Sequence, residues 1–330
     1  MPTTRDEIAK KAGVSTATVS RVYNDPDSVS ADKRERVYAA AKRFGYVPNK
    51  NASALRRNAT GTIMLLERRI ENPSPDERYY NWLYADVIKA VKSVIDSSMY
   101  QLNLHSFASG EDIRAIKERG LCDGIICHSL ADAEVARVCD TGIPYVACYR
   151  TVAPEFNAVF VDEYAGGAAA AKAFIGSGHR KPAHITGELE HVPVCRDRWN
   201  GFRSQWEREP VMINGLLGIK GGYESGRGLA PAIRRGDIDC VFIVNDLTAI
   251  GVVQALAEAK IDIPGDVSLI GYDNLPFTAT LPCRLASIDL SLKRVYTTAA
   301  SRLLGNIKDG GTIREIVAPE YAPGDSVRRR

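Results

Sequence analysis

The chain is poor in the residues that build metal centres and catalytic constellations. Its 330 residues include five histidines and seven cysteines. Neither type falls at zinc-ligand spacing, so no metal and no cofactor is expected. The cysteines are odd in number and scattered, which argues against a disulfide framework and suits free thiols in a reducing compartment. The nearest pair, Cys122 and Cys127, lies in a strand-like run at an odd separation and is expected to point to opposite faces. Long hydrophobic runs are missing as well. No stretch reaches the ~18 apolar residues of a membrane-spanning helix, and the opening MPTTRDEIAKKAG lacks the apolar segment of a secretory signal, so a cytoplasmic protein is expected. No paired acid and base and no activated nucleophile stand out. The glycine-rich GIKGGYESGRG (218–228) is neither a Walker loop nor a dinucleotide fingerprint, and GYESG misses the G-x-S-x-G elbow by one position. It reads as a loop entering a helix, and an enzyme is not expected.

What is present is unevenly distributed. Residues 1–60 hold 12 basic against 6 acidic side chains, a net of +6, while the other 270 hold 31 against 34, a net of −3. A basic head on a slightly acidic body is the footprint of a polyanion-binding module joined to a part that is not one.

Cap signals place three short helices in that head. Thr4 and Glu7 form a capping box; Ile8, Ala9 and Ala12 make an apolar stripe, and Gly13 suits the left-handed stop. Ser15 caps a second helix, Thr16 to about Tyr23, with Val19 and Val22 facing inward. Ser30 caps a third, with Val37, Ala40, Ala41 and Phe44 on one face and Gly45 at its end. Two helices joined by the tight Gly13-Val14-Ser15 turn, with a third across them, are a helix-turn-helix unit. The outer face of the second helix carries Thr16, Ala17, Ser20 and Arg21. Short side chains permit close approach to the major groove, and the guanidinium can fork onto guanine.

The stretch AGVSTATVSRVYN (12–24), with VSADKRERVYAAAKRFGYVPN (29–49), resembles the DNA-binding head of the lactose-repressor (LacI/GalR) family almost position for position. The resemblance implies that Thr16, Ala17 and Arg21 read bases, and that Ser15, Ser20, Asn24, Ser28 and Tyr46 mainly position the phosphate backbone. It also implies that residues 49–60 are a hinge that folds on DNA and pairs with its dimer mate, with Leu55 wedged into the minor groove at the operator centre.

From Thr62 onward, eight apolar strand runs alternate with helical segments such as Ala85–Ile95, Gly166–Ile175 and Leu247–Ala259. The strand runs are TIMLL, QLNLH, DGIIC, YVACY, AVFV, AHIT, CVFIV and VSLIGY. This pattern argues for parallel sheets covered on both faces, and about 260 residues suit two doubly wound subdomains better than one sheet. GHRKPAHITG (178–187), CRDRWNGF (195–202), CVFIVNDLTAIGVVQAL (240–256) and IPGDVSLIGYDN (263–274) are similar to the effector-binding core that these regulators share with periplasmic sugar-binding proteins. The expected fold class is therefore α/β: a three-helix helix-turn-helix head (1–48), a hinge (49–60) and a periplasmic-binding-protein-like core (61–330). By this resemblance the N-subdomain comprises about 61–160 plus 291–318 and the C-subdomain about 161–290 plus 319–330.

Ligands of such sheets sit beyond the carboxyl ends of the strands. There the sequence offers Arg69, His128, Ser129 and Arg150, and the resemblance matches Arg198, Asn245 and Asp273 to positions that bond polar groups of an effector. Asp246 opens a helix and reads as its N-cap. The chain departs from the family at ERRIENPSPDERYYNW (67–82), at Tyr149-Arg150 and near Asp289-Leu290. If Arg69, Arg150 and Arg198 converge, the effector is an anion such as a sugar acid or sugar phosphate. The function so implied is that of a sequence-specific transcription regulator, in the first place a repressor, that binds palindromic operator DNA as a homodimer under control of a small polar effector such as a sugar. A solute-binding protein without a regulatory role is the alternative.

Overall fold

The computed structural model describes residues 3–24, 26–46, 59–71, 75–150, 152–190 and 192–329, with the backbone alone at 24 and 75–82. Leu55 and most of the expected hinge lie outside the described residues, as do Asn72, Pro73 and Ser74.

The head is built from α1 (Arg5–Ala12), α2 (Thr16–Asn24) and α3 (Ala31–Phe44). Thr4 and Glu7 complete their capping box, and Gly13 ends α1 at φ 64°. Ile8, Val19, Val22 and Val37 are fully buried at the centre of the three helices; each contributes about 1.5–3 kcal/mol by leaving water. Phe44 departs from the expected face. It is 36% exposed, and its ring lies beneath Lys11 and Arg43, at 5.2 and 5.5 Å from its centroid. Ser30 stands at the N-cap of α3 but makes no side-chain bond there.

The body contains two six-stranded sheets. The first is formed by β1 (Thr62–Arg68), β2 (Gln101–Phe107), β3 (Gly124–His128), β4 (Tyr145–Tyr149), β5 (Ala158–Val161) and β11 (Arg314–Val317), in the order β11-β5-β4-β3-β1-β2, all parallel. The second takes β6 (Pro182–Thr186), β7 (Val211–Asn214), β8 (Cys240–Ile243), β9 (Ser268–Tyr272), β10 (Ala286–Asp289) and β12 (Glu320–Ala322), in the order β12-β10-β9-β8-β6-β7, with only β12 antiparallel. The chain passes from the first sheet to the second after β5, returns after β10, and crosses once more between β11 and β12.

Alternation along the strands feeds two layers per sheet. Ile63 and Leu65 enter a core continuous through both subdomains, while Met64 and Leu66 enter the opposite layer of the first. In the second sheet Cys240 and Phe242 join the shared core, and Val241 and Ile243 face its outer layer. Cys122 and Cys127 share one layer, contrary to the odd-spacing expectation, because Cys122 precedes β3 and is not held to its pleat.

The covering helices are α4 (Pro75–Ile95), α5 (Gly110–Glu118), α6 (Asp132–Asp140), α7 (Glu163–Gly176), α8 (Pro193–Arg203), α9 (Gly218–Arg234), α10 (Asp246–Glu258) and α11 (Leu292–Asp309). The glycine-rich segment 218–228 lies wholly inside α9 and is not a loop. A Cβ on Gly222 would sit 1.9 Å from the Thr248 carbonyl oxygen of α10, so the glycines serve close helix packing. The α7–α8 pair uses the same device: a Cβ on Gly201 would lie 1.9 Å from the Tyr164 oxygen, and one on Gly167 2.0 Å from that of Arg198.

Candidate nucleic-acid interface and ligand cleft

The outward face of α2 presents Ala17 and Arg21 exposed and Thr16 and Ser20 half-buried, opposite the buried Val19 and Val22. Arg21 forms no ion pair among the described residues, so its five donors remain for an acceptor outside the head. The exposed Ser15 occupies the N-cap position, where its Oγ accepts from the Thr18 amide at 3.1 Å. Asn24 ends α2, and its side chain lies outside the described residues. Ser28 is exposed at the end of the 3-10 turn Pro26–Ser28. Tyr46 is half-buried with its ring 6.2 Å from that of Tyr23. The sequence reading passed over what orients α2. Tyr23 stacks edge-on against Tyr38 at 5.7 Å, and the Tyr38 hydroxyl donates to the Val22 carbonyl at 3.1 Å.

A cavity of about 390 Å³ lies between the subdomains at the carboxyl ends of β3, β4 and β9. Six of the seven expected ligand residues line it: His128, Ser129, Arg150, Arg198, Asn245 and Asp273. Arg69 does not. Its amide donates to the Phe107 carbonyl at 2.8 Å, extending the β1–β2 ladder, and its charge acts on Asp112 in the first turn of α5. Arg68 pairs with Glu134 of α6. The three arginines therefore do not converge, because the end of a strand specifies a level in the sheet and not the direction of a side chain.

Arg198 is held tightly. Its Nε donates to Glu163 Oε2 at 2.7 Å and Nη1 to the Val244 carbonyl at 2.6 Å, while the guanidinium lies 3.6 Å from the Tyr272 ring centroid. Burial opposes its charge, yet the Glu163 carboxylate more than offsets this and raises the guanidinium above its usual range. Glu163 opens α7, and only the glycine-mediated approach of α7 to α8 brings the pair together; sequence spacing did not disclose it.

Asp273 is 5% exposed, and its Oδ2 has no partner. Burial first, then Asp246 and Glu163, push its carboxyl well above the usual carboxylate range against the pull of Arg198. Asn245, not Asp246, is the N-cap of α10, its Oδ1 accepting from the Thr248 amide at 2.8 Å. Asp246 is fully buried and accepts from the Leu275 amide at 2.7 Å and Ser287 Oγ at 2.9 Å, which anchors the segment following Asp273. His128 bonds through Nδ1 to the Tyr296 hydroxyl and stacks on Tyr149 at 6.3 Å; burial lowers its pKa to about 4. Three non-glycine residues of this lining hold positive φ at adjoining strand ends: Ser129 at 54°, Tyr149 at 80° and Asp273 at 103°. Such strain collects where ligands are clamped.

Among the described residues one trio, His179, Asp239 and Cys240, brings potential metal ligands within 4.8 Å. Asp239 accepts the Arg180 and Lys181 amides at 3.2 and 3.0 Å, and the imidazole of His179 bonds to the Arg328 carbonyl at 3.2 Å. These bonds tie a loop together. No helix among the described residues is long and apolar enough to cross a membrane.

A basic helix-turn-helix head and a two-lobed α/β body with a cavity of mixed polar and apolar lining between its lobes define a ligand-responsive DNA-binding protein. Comparison with known proteins agrees. Residues 4–49 match the family of bacterial regulatory proteins, lacI family, and residues 171–327 match a periplasmic binding protein-like domain. The HTH-type transcriptional repressor PurR of Vibrio parahaemolyticus is 30% identical over 323 residues, covering 94% of this chain and 93% of its own. The "Probable HTH-type transcriptional repressor ExuR" of Bacillus subtilis is 27% identical, covering 98% of each. Among solved structures, the transcriptional regulator CelR in complex with cellobiose superimposes with a TM-score of 0.67 at 26% identity, over 98% of this chain and 99% of that one. The chain belongs to the LacI family of bacterial regulatory proteins and is a DNA-binding transcription regulator.

Proposed function

We propose that the protein is a homodimeric repressor that reads a palindromic operator through α2 and whose grip is set by a sugar or sugar derivative bound between the subdomains. In this reading Thr16, Ala17 and Arg21 contact bases. Ser15, Ser20, Asn24, Ser28 and Tyr46 position the backbone, and Leu55 in the 49–60 hinge wedges the minor groove. The head is 1–48 and the core 61–330. The observation that carries the effector half is the unpartnered, buried Oδ2 of Asp273 in a cavity shared with Arg198 and Asn245. A polar ligand would supply the missing bond, and an unmade one costs about 1–3 kcal/mol. CelR, crystallised with cellobiose, supports a saccharide class. Leu104 on β2 and Val211 and Met212 on β7 remain exposed on the outer strands of the two sheets, which supports a dimer.

Selection of bound fragments from genomic DNA, followed by footprinting, tests the reading. It predicts a two-fold symmetric site protected on one face, with the protein sedimenting as a dimer. Retention of no double-stranded site would overturn it in favour of a solute-binding protein.

A further inference from the structure

The charges around the cleft do not balance. Arg198 is neutralised by Glu163 at 2.7 Å, and Asp197 lies 3.4 Å from Arg196. Asp273 is buried beside Asp246 and Glu163, and burial favours its protonated form. Arg150 lines the same cavity, is half-buried, and forms no ion pair among the described residues. One helix also opens onto this space with no side-chain acceptor at its start. At α8 the N-cap residue is Val192, followed by Pro193, and Val192, Pro193 and Val194 all line the cavity. An uncapped terminus of this kind carries about half a positive charge and unsatisfied amides. At α11 the first helical residue, Leu292, also lines the cavity, but there the Asp289 carboxylate already accepts the Ser291 amide at 2.6 Å. The third helix that starts here, α10, has its amide capped by Asn245. The cleft therefore offers an anion one unpaired guanidinium, Arg150, and one uncapped helix start, that of α8.

We propose that the effector is an acidic sugar derivative, a polyol bearing a carboxylate or a phosphate, whose anionic group pairs with Arg150 in the field of α8 while a hydroxyl meets Asp273. The inference rests on the cleft being the effector site. It assigns to Arg150 the selection of acids over neutral sugars. A planar guanidinium takes either anion in two parallel bonds, and burial of the remaining ligand surface strengthens the pairing.

Calorimetric titration of the full chain with glucose and galactose, their uronates and their 6-phosphates separates the possibilities. At least one acid is expected to bind at least tenfold more tightly than its neutral parent. Preference for uronates identifies a carboxylate effector, and preference for 6-phosphates a phosphorylated one. Arg150→Met is expected to weaken that acid roughly 10- to 100-fold, the range of a lost charge-assisted bond, with Arg150→Lys recovering part of the loss. The fold should tolerate both changes, because Arg150 is half-exposed and unpaired. If a neutral sugar binds as tightly as its acids, or Arg150→Met leaves acid binding unchanged, the inference falls while the effector cleft stands. If no member of the panel binds, both fall.

Discussion

Arg198 and Glu163 are both about 95% buried and face each other at 2.7 Å. Removing one partner leaves an uncompensated charge in a low-dielectric interior, so Glu163→Ala should cost about 3–5 kcal/mol in urea unfolding, far more than joint replacement of the pair by apolar residues. Asp246 makes a second prediction, through pH. Burial raises its folded pKa to about 7, against 3.8 for the ordinary carboxyl. Between those values the folded state binds more protons than the unfolded chain, so this group's contribution falls as pH rises from about 4 to 7. His128 and His184 act oppositely. Burial lowers them to about 4 and 3 from 6.5, so their contribution falls as pH drops below 6.5. Asp246→Asn keeps an acceptor for the Leu275 amide, and its stability relative to the parent protein should rise with pH across 4–7; a constant difference would exclude the assignment. At this scale the sequence disclosed much of the cleft. Strand ends and family resemblance pointed to Arg198, Asn245 and Asp273. Glu163 escaped because its partner is distant in the chain, Asp246 was read as an N-cap where it is a buried anchor for Leu275 and Ser287, and Arg69 misled because chain position does not determine direction.

At the level of elements, α2 works because its inner valines bury while its outer face stays short except for Arg21. Arg21→Ala should weaken specific DNA about 10- to 100-fold, the range of a lost bidentate base contact, with the unfolding midpoint unchanged, as anisotropy and calorimetry would show. The α7–α8 contact depends on absent side chains. Gly201→Ala would place a Cβ 1.9 Å from a carbonyl oxygen, and the resulting overpacking should cost about 1–3 kcal/mol and loosen Arg198. Unchanged stability would show that the helices can separate freely. Apolar runs and caps revealed most of the strands and the head. They did not reveal β7, β10, β11 and β12; β10, β11 and β12 carry charged or polar residues where the equally short β5 and β8 are unbroken apolar runs. β7 is exposed along most of its length, so no buried face marks it. Residues 75–82, part of the 67–82 stretch read as a departure from the family's turn, form the start of α4, where Pro75 is compatible with a first helical turn.

For the whole molecule, three crossings join two sheets into two lobes with the cleft between them. A ligand that prefers one arrangement shifts the population of the arrangement that suits the head for DNA. The segregated charge, +6 in the first sixty residues, predicts operator binding that weakens steeply with salt, by a slope set by the number of phosphates contacted. Effector affinity, in a body of net −3, should depend on salt far less.

The coupling of the two sites is the centre of the account, and linkage makes it measurable from both ends. Operator affinity is measured with and without saturating effector, and effector affinity with and without saturating operator, on the same full-length protein at one salt concentration. Each ligand is expected to alter the other's affinity by one common factor, typically ~5- to 150-fold. Independent binding of the two, each dissociation constant unmoved by the other ligand, would contradict it.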